Sequence, residues 1–459
     1  MKKNIFKTIA LLFCMALCLS GCATVSNITN QDGSKIYYDD VQYFQGQVAL
    51  IGDYLYYGNG YTASDGDDFN YNDAASTGYL ARLYVGENLQ YDLSEDDDGY
   101  VDPSPVGVEK VNDKLTGYQN QYMFALGDYL YFTSANTHKL SNTENDYTRV
   151  SIFRVKFNGD GFKEIDTFRY DENSQITVQK GGDGNYYYII YCPSGDDTYN
   201  LYSVRIGSSI GETTLLAEDV LSVAICDENS SDRNVIYTVT SERSDRETTE
   251  VRAVDFATGE DKSYSNDTSV VGTTTTMLGR VGDIVFYSYD KVIEEPQVYY
   301  KDLSTDDSYF SGQEARHFYD ASEINIIDKI WNGYLFISTT SSSVMYKEFG
   351  GEAQRVLSSS DYSNILFVDG DYLYYSNSTS IFRISIKDLT TQTLVSTTSI
   401  ISGECGYDGT YIYYFAQLES EESEEDSSSS SDTTTDENYY MHRVDKFGNV
   451  EVLAKVEKP

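Results

Sequence analysis

The side chains able to do chemistry in this chain are plentiful, but few are spaced for it. Its three histidines, His138, His317 and His442, are far apart, and no His/Cys cluster has zinc-ligand spacing. No G-x-S-x-G elbow is present, which argues against a propeller-gated serine hydrolase. Carboxylates are so numerous, with 73 acidic residues, that some glycosidase-like pair is inevitable and pairing by itself carries no information. Two acidic clusters are the candidate ligand-binding residues: Asp65, Asp67 and Asp68, and Asp96, Asp97 and Asp98. Asp96, Asp98 and Gly99 form a short D-x-D-G, whereas a calcium loop needs more ligands at fixed spacing and a terminal glutamate. A plain turn is preferred there, calcium at Asp96 and Asp98 is the alternative, and no other cofactor is expected.

Cysteine usage depends on the first 22 residues. Lys2, Lys3 and Lys7 lead into the apolar run IALLFCMALCL, a charged n-region and an h-region too short for a membrane span. The run ends in Leu19-Ser20-Gly21-Cys22, which resembles the bacterial lipobox. The resemblance implies cleavage after residue 21 and a lipid on Cys22, with residues 22–44 as a tether that lends a strand (KIYY, 35–38) to ring closure. Cys192, Cys226 and Cys405 then remain, an odd and widely spaced set that reads as small buried hydrophobes, with a Cys192–Cys226 bridge as the alternative. Loss of the three lysines leaves 30 basic against 73 acidic residues, a net charge of −43. That balance excludes nucleic acid and leaves the lipid as the only route to the membrane. The expected location is the extracytoplasmic face of a bacterial membrane.

The elements that must position any site are strands. Tyrosine supplies 44 residues and proline five, serine and threonine are abundant, and helical periodicity is scarce. The stretch GDYLYY (52–57) returns as GDYLYF (127–132) and GDYLYY (370–375), and alignment on it yields eight copies. The third position of each core is aromatic: Tyr56, Tyr131, Tyr188, Tyr237, Phe286, Phe336, Tyr374 and Tyr413. The middle position is aliphatic in all but Tyr187, so both faces of this strand are apolar and both are expected to be covered. A second strand follows with a basic third position in six copies, Arg82, Arg154, Lys301, Lys347, Arg383 and Arg443. An acid at the start of a neighbouring core, such as the Asp of GDY, is its expected partner. A short strand before each core and another after the basic strand complete a four-stranded antiparallel unit, a-b-c-d. The closest cores are 38 and 39 residues apart, the length of a propeller blade with tight turns. The expected fold is all-β: one β-propeller over residues 45–459, of eight four-stranded blades, with seven blades or two smaller propellers as alternatives.

The G-D-Y-L-Y-Y and I-F-R-V patterns resemble a tyrosine-rich propeller family of clostridial-type surface lipoproteins, over roughly residues 45–455. That family is distantly similar to the propellers of lipoprotein receptors, but Trp331 is the only tryptophan here, so a receptor-type ligand surface is not carried over. Function on a repeat scaffold is sought where the copies diverge. Four long insertions, 59–78, 94–117, 134–149 and 417–438, all fall on b–c or d–a connections of copies eight, one and two. Once the ring closes they form one acidic sector on one face. The expected function is a non-enzymatic binding or scaffolding module whose partner is an envelope protein or a glycan. The alternatives are a carbohydrate-active enzyme using those carboxylates, or an assembly factor for envelope proteins.

Overall fold

A computed structural model describes residues 28–29, 33–44, 48–59, 79–86, 108–112, 123–135, 149–171, 173–194, 198–241, 248–264, 274–291, 294–305, 310–397, 399–400, 405–417 and 439–455. The described regular structure is antiparallel strand, with a single turn of 3-10 helix at Glu314–Arg316. Each of the eight copies is an a-b-c-d unit. In the first unit, for example, the strands are Val48–Ile51, Tyr54–Asn59, Tyr79–Tyr84 and Glu109–Asn112. This is a propeller-like all-β fold of seven sheets, five of them four-stranded.

The other two sheets depart from the simple unit. Tyr38–Tyr43 pairs antiparallel with the second unit's a strand, Phe124–Gly127, and makes that sheet five-stranded. The added strand is therefore 38–43 rather than 35–38. Thr213–Ala224 serves the third unit as its d strand and runs on as the a strand of the fourth, joining both into one seven-stranded sheet. Neither glycine nor proline interrupts 213–224, and the change of partner is made at a bulge beside Asp219, whose φ is 51°.

Tight a–b turns set the geometry. Ile51 pairs with Tyr54 across Gly52-Asp53, and Gly52 has φ 59° while Asp53 keeps a negative φ. That is the two-residue turn whose twist matches the flanking strands, with glycine at its first central position. The same turn occurs at Gly127-Asp128, Gly282-Asp283 and Gly370-Asp371. In the sixth unit the sequence suggests Asn332-Gly333 as the turn, but Ile330 pairs with Gly333 and the turn is Trp331-Asn332. Trp331 therefore takes the glycine slot, with φ 52°. Gly333 cannot be replaced as the first b-strand residue, because a Cβ there would lie 2.8 Å from the Lys347 carbonyl oxygen. With tight a–b turns, antiparallel order sends the a–b and c–d turns to one face and the b–c and d–a connections to the other.

The core lies between units. Eight hydrophobic clusters each draw on two consecutive units, and the eighth joins the last unit to the first: Tyr413, Phe415 and Met441 pack with Leu55, Tyr57 and Leu83. All eight third-position aromatics are buried, each burial contributing on the order of 1.5–3 kcal/mol. Their direction varies. In units one, two, five, seven and eight they enter the cluster shared with the following unit, whereas Tyr188, Tyr237 and Phe336 enter the one shared with the preceding unit. A one-residue slip against the turn inverts the face of every side chain in the strand.

Candidate functional site

The sequence-derived site residues Asp65, Asp67, Asp68, Asp96, Asp97 and Asp98 lie outside the described residues, as does Cys22. The feet of the insertions are described. The first unit's b–c insertion leaves from Asn59 and returns at Tyr79, and Asn59 Nδ2 donates to the Tyr79 hydroxyl at 2.7 Å. The eighth unit's leaves from Gln417 and returns at Tyr439, whose hydroxyl is 3.2 Å from Ser399 Oγ. Tyr79 and Tyr439 pack against the same core cluster, the one shared by units eight and one. Two of the four insertions thus spring from neighbouring points on one rigid base. The second unit's b–c insertion starts from the pair Ala135 and Val150 on the same face.

On the opposite face, five arginines stand directly across from b-strand tyrosines: Tyr56–Arg82, Tyr131–Arg154, Tyr237–Arg252, Tyr374–Arg383 and Tyr413–Arg443. Arg252 was missed by the sequence alignment, which placed nothing basic in that unit's third column. The buried Arg82 clamps its seam. Its Nε and Nη2 each bond Glu109 Oε2 at 2.6 Å, and Nη1 donates 3.1 Å to the Phe157 carbonyl in the next unit. Burial opposes the Arg82 charge, yet Tyr56 and Glu109 hold its pKa above the usual arginine value. Tyr56 donates to the same Phe157 carbonyl at 2.6 Å, and burial pushes its own pKa up to about 12. Arg154 repeats the reach at 2.7 Å to the Gly207 carbonyl, and Arg443 at 3.4 Å to that of Val85. So the neighbouring unit supplies a turn carbonyl, and for Arg82 and Arg443 the acid, Glu109 or Glu451, comes from the arginine's own d strand. The Asp of GDY is not the partner of Arg82, Arg154 or Arg443.

The N-terminal segment crosses the a–b turns. Ile36 lies against Gly52 and Tyr37 against Gly127, and Lys35 reaches Asp128 at 2.6 Å, with Lys156 on the same carboxylate at 3.4 Å. Burial works against the Asp128 charge, but the two lysines outweigh it and hold its pKa below the usual carboxylate range. Two clefts flank this crossing. One, of 480 Å³, is lined by Lys35, Lys156, Asn158 and Asp160; the other, of 460 Å³, by Tyr37, Asp39, Tyr129, Arg205 and Ser208. Three basic side chains, Lys35, Lys156 and Arg205, line these clefts beside three acidic ones, Asp39, Asp128 and Asp160.

The remaining reactive types are absorbed by packing. His442 lies in a c strand, stacked on Tyr414 at 5.1 Å with Nδ1 2.9 Å from the Tyr440 carbonyl, and burial lowers its pKa. Cys192, Cys226 and Cys405 are free and buried, so the Cys192–Cys226 bridge is not formed. Burial pushes the first two thiols up to about 12. Among the described residues no group of three or more His, Cys, Asp or Glu could hold a metal ion. No helix is long and apolar enough to cross a membrane among those residues.

No family model matches the sequence, and no curated protein matches it. Among solved structures the chain is similar to TolB from Acinetobacter baumannii, at 11% identity and a TM-score of 0.34, over 82% of this chain and 86% of that one. It is similar to prolyl oligopeptidase B from Galerina marginata at 12% identity and a TM-score of 0.41, over 72% of this chain and 49% of that one. A third similarity is to a puromycin-hydrolyzing peptidase of Mycobacterium tuberculosis, at 8% identity and a TM-score of 0.38, over 82% and 58% of the respective chains. The chain thus covers 49% and 58% of the length of these two peptidases.

Proposed function

We propose that the chain is a single eight-bladed β-propeller acting as a non-enzymatic binding or scaffolding module. Lipid on Cys22 holds it at the outer face of a bacterial membrane, and the insertions of units eight, one and two present an acidic surface to an envelope protein or a glycan. Closure in a ring of eight is supported by the cluster that packs the eighth unit on the first. The observation that carries the functional reading is the common base of the first and eighth b–c insertions, where Tyr79 and Tyr439 share that cluster. Loops rooted on one rigid base hold their relative position at low entropic cost, which is what a recognition surface requires.

The test is to replace residues 60–78 and 418–438 with short turns, singly and together, and to follow thermal stability, capture from envelope extracts and glycan turnover. The expected result is an unchanged melting temperature with capture of a defined partner lost stepwise. Capture that survives the double replacement refutes the reading. Glycan turnover abolished by neutralising Asp65, Asp67 and Asp68 would replace it with the enzymatic alternative. Cys22→Ser is expected to move the protein from the membrane to the soluble fraction.

A further inference from the structure

The five arginines opposite b-strand tyrosines repeat one contact that the second unit leaves open. Four of them donate Nε to an acceptor on their own d strand: Arg82 to Glu109 at 2.6 Å, Arg252 to Asp261 at 3.1 Å, Arg383 to Gln392 at 3.0 Å and Arg443 to Glu451 at 2.7 Å. In three of the four the acceptor is the residue directly across the ladder, and in the second unit that residue is Lys163. Arg154 is 9% exposed, and its buried Nε has no hydrogen-bond partner. Among the described residues its hydrogen bonds are made by Nη1, to the Gly207 carbonyl at 2.7 Å and the Tyr131 hydroxyl at 3.5 Å. Below it lies the Tyr129 ring, 4.2 Å from the guanidinium carbon. Lys163 is exposed and makes no ion pair among the described residues.

We propose that this seam is a binding site for a carboxylate, taken between the Nε edge of Arg154 and the ammonium of Lys163. A buried guanidinium with an unpaired planar edge offers the donor geometry that carboxylates satisfy with two bonds, and here the exposed Lys163 side chain must move aside to uncover it. Arg82 shows that edge filled by a carboxylate, since Glu109 Oε2 meets both Nε and Nη2. An incoming carboxylate meets the exposed ammonium first and then replaces the acid that the d strand lacks. The ligand class is an organic acid or the acidic side chain of a partner protein. This site goes beyond the loop sector of the proposed function: it lies on the c and d strands of one unit and is untouched by the loop replacements.

The full chain is titrated at constant ionic strength with succinate, with a hexaglutamate peptide and with inorganic phosphate, and the melting temperature is recorded. The wild type is expected to respond to carboxylate probes. Lys163→Glu installs the acid found in units one and eight; it should raise the unliganded melting temperature by about 2 °C and abolish the response. Glu109→Lys opens the first unit's seam in the same way and should confer a second response. Succinate and peptide both acting identifies a free acid as the ligand, and the peptide alone identifies a protein-borne side chain. The proposal is overturned by no response to either probe, by a response to phosphate alone, or by Lys163→Glu responding like the wild type.

Discussion

Two donors share one carbonyl at the first seam, and that redundancy has a measurable consequence. Phe157, 5% exposed, accepts from the Tyr56 hydroxyl at 2.6 Å and from Arg82 Nη1 at 3.1 Å. Tyr56→Phe leaves the arginine on the carbonyl and should cost about 1 kcal/mol, the net value of one hydrogen bond. Arg82→Met also leaves the carbonyl satisfied, by Tyr56. Its cost comes from the two bonds to Glu109, a side chain 37% exposed that recovers water when released, so about 2 kcal/mol is expected rather than the full penalty of a broken buried pair. The double variant orphans the Phe157 carbonyl, which adds about 1–3 kcal/mol. One effect opposes this: Arg82 Nη1 also lies 3.4 Å from the Tyr56 oxygen. Each single variant loses that direct contact, so the sum counts it twice. At such a distance it is worth no more than about 0.5 kcal/mol, and the orphaned carbonyl outweighs it. The double variant should therefore be destabilised by about 1 kcal/mol more than the sum of the singles. Urea midpoints at unchanged m-value measure this. A double variant costing the sum or less refutes the shared-acceptor account.

Three further outcomes follow from particular contacts. Gly370 has φ 57° and open space around a built Cβ, so Gly370→Ala should cost only the left-handed penalty, about 1 kcal/mol. Gly159 has φ 84° and a built Cβ would meet the Val111 carbonyl oxygen of the preceding unit at 2.7 Å, so Gly159→Ala should give the lower melting temperature of the two. The folded chain binds a proton on His442 less readily than the unfolded chain, whose value is 6.5; stability should fall as pH drops below 6.5, and His442→Phe, which keeps a ring on Tyr414, should flatten that part of the pH–stability curve. Cys192 and Cys226, with thiols raised to about 12, should resist iodoacetamide at pH 8 in the folded protein and react on unfolding; rapid native labelling would contradict their burial.

The repeat was legible because every unit carries an aromatic b strand and six of the eight repeat the signal in a basic position of the c strand. All eight cores fall in strands, and seven of the eight a–b–c–d units begin and end on strands of their own; only the fourth borrows the strand of the third. Face direction was not legible in three units, for a physical reason. When both faces of a strand are apolar, alternation no longer says which side is which, and only the turn register decides. In the sixth unit that register rests on Gly333, required by the approach of Tyr346 and Lys347, and nothing in WNGYLF distinguishes it from a turn glycine. The partner of the arginine column was legible and overlooked. The d-strand acceptor lies nine residues after Arg383 and eight after Arg443, a spacing fixed by the short c–d turn, and counting nine from Arg154 arrives at Lys163.

Forty-four tyrosines against twenty phenylalanines also follow from the seams rather than from a ligand surface. Strands pair their backbone groups along the ladder, but the turns and connections beside each seam leave carbonyls that no ladder reaches. A phenylalanine can fill the space but brings no donor to such a carbonyl; a tyrosine fills it and donates, alone or beside an arginine as at Phe157 and Gly207. Tyr56 does so to Phe157 at 2.6 Å, Tyr131 to Gly207 at 3.3 Å and Tyr287 to Ser311 at 2.8 Å, and Tyr191 does the same at the bulge within strand 213–224, to Leu221 at 3.0 Å. Where the hydroxyl turns instead to its own unit's a–b turn, as Tyr413 does to Asp408 at 2.7 Å, it fixes the aspartate that holds the turn backbone at Thr410 and Tyr411. The ring and the hydroxyl thus act on different links of the fold: one packs unit on unit, the other closes the backbone that packing would otherwise bury unsatisfied. A Tyr→Phe scan of these five positions separates them, since it removes the second contribution and keeps the first.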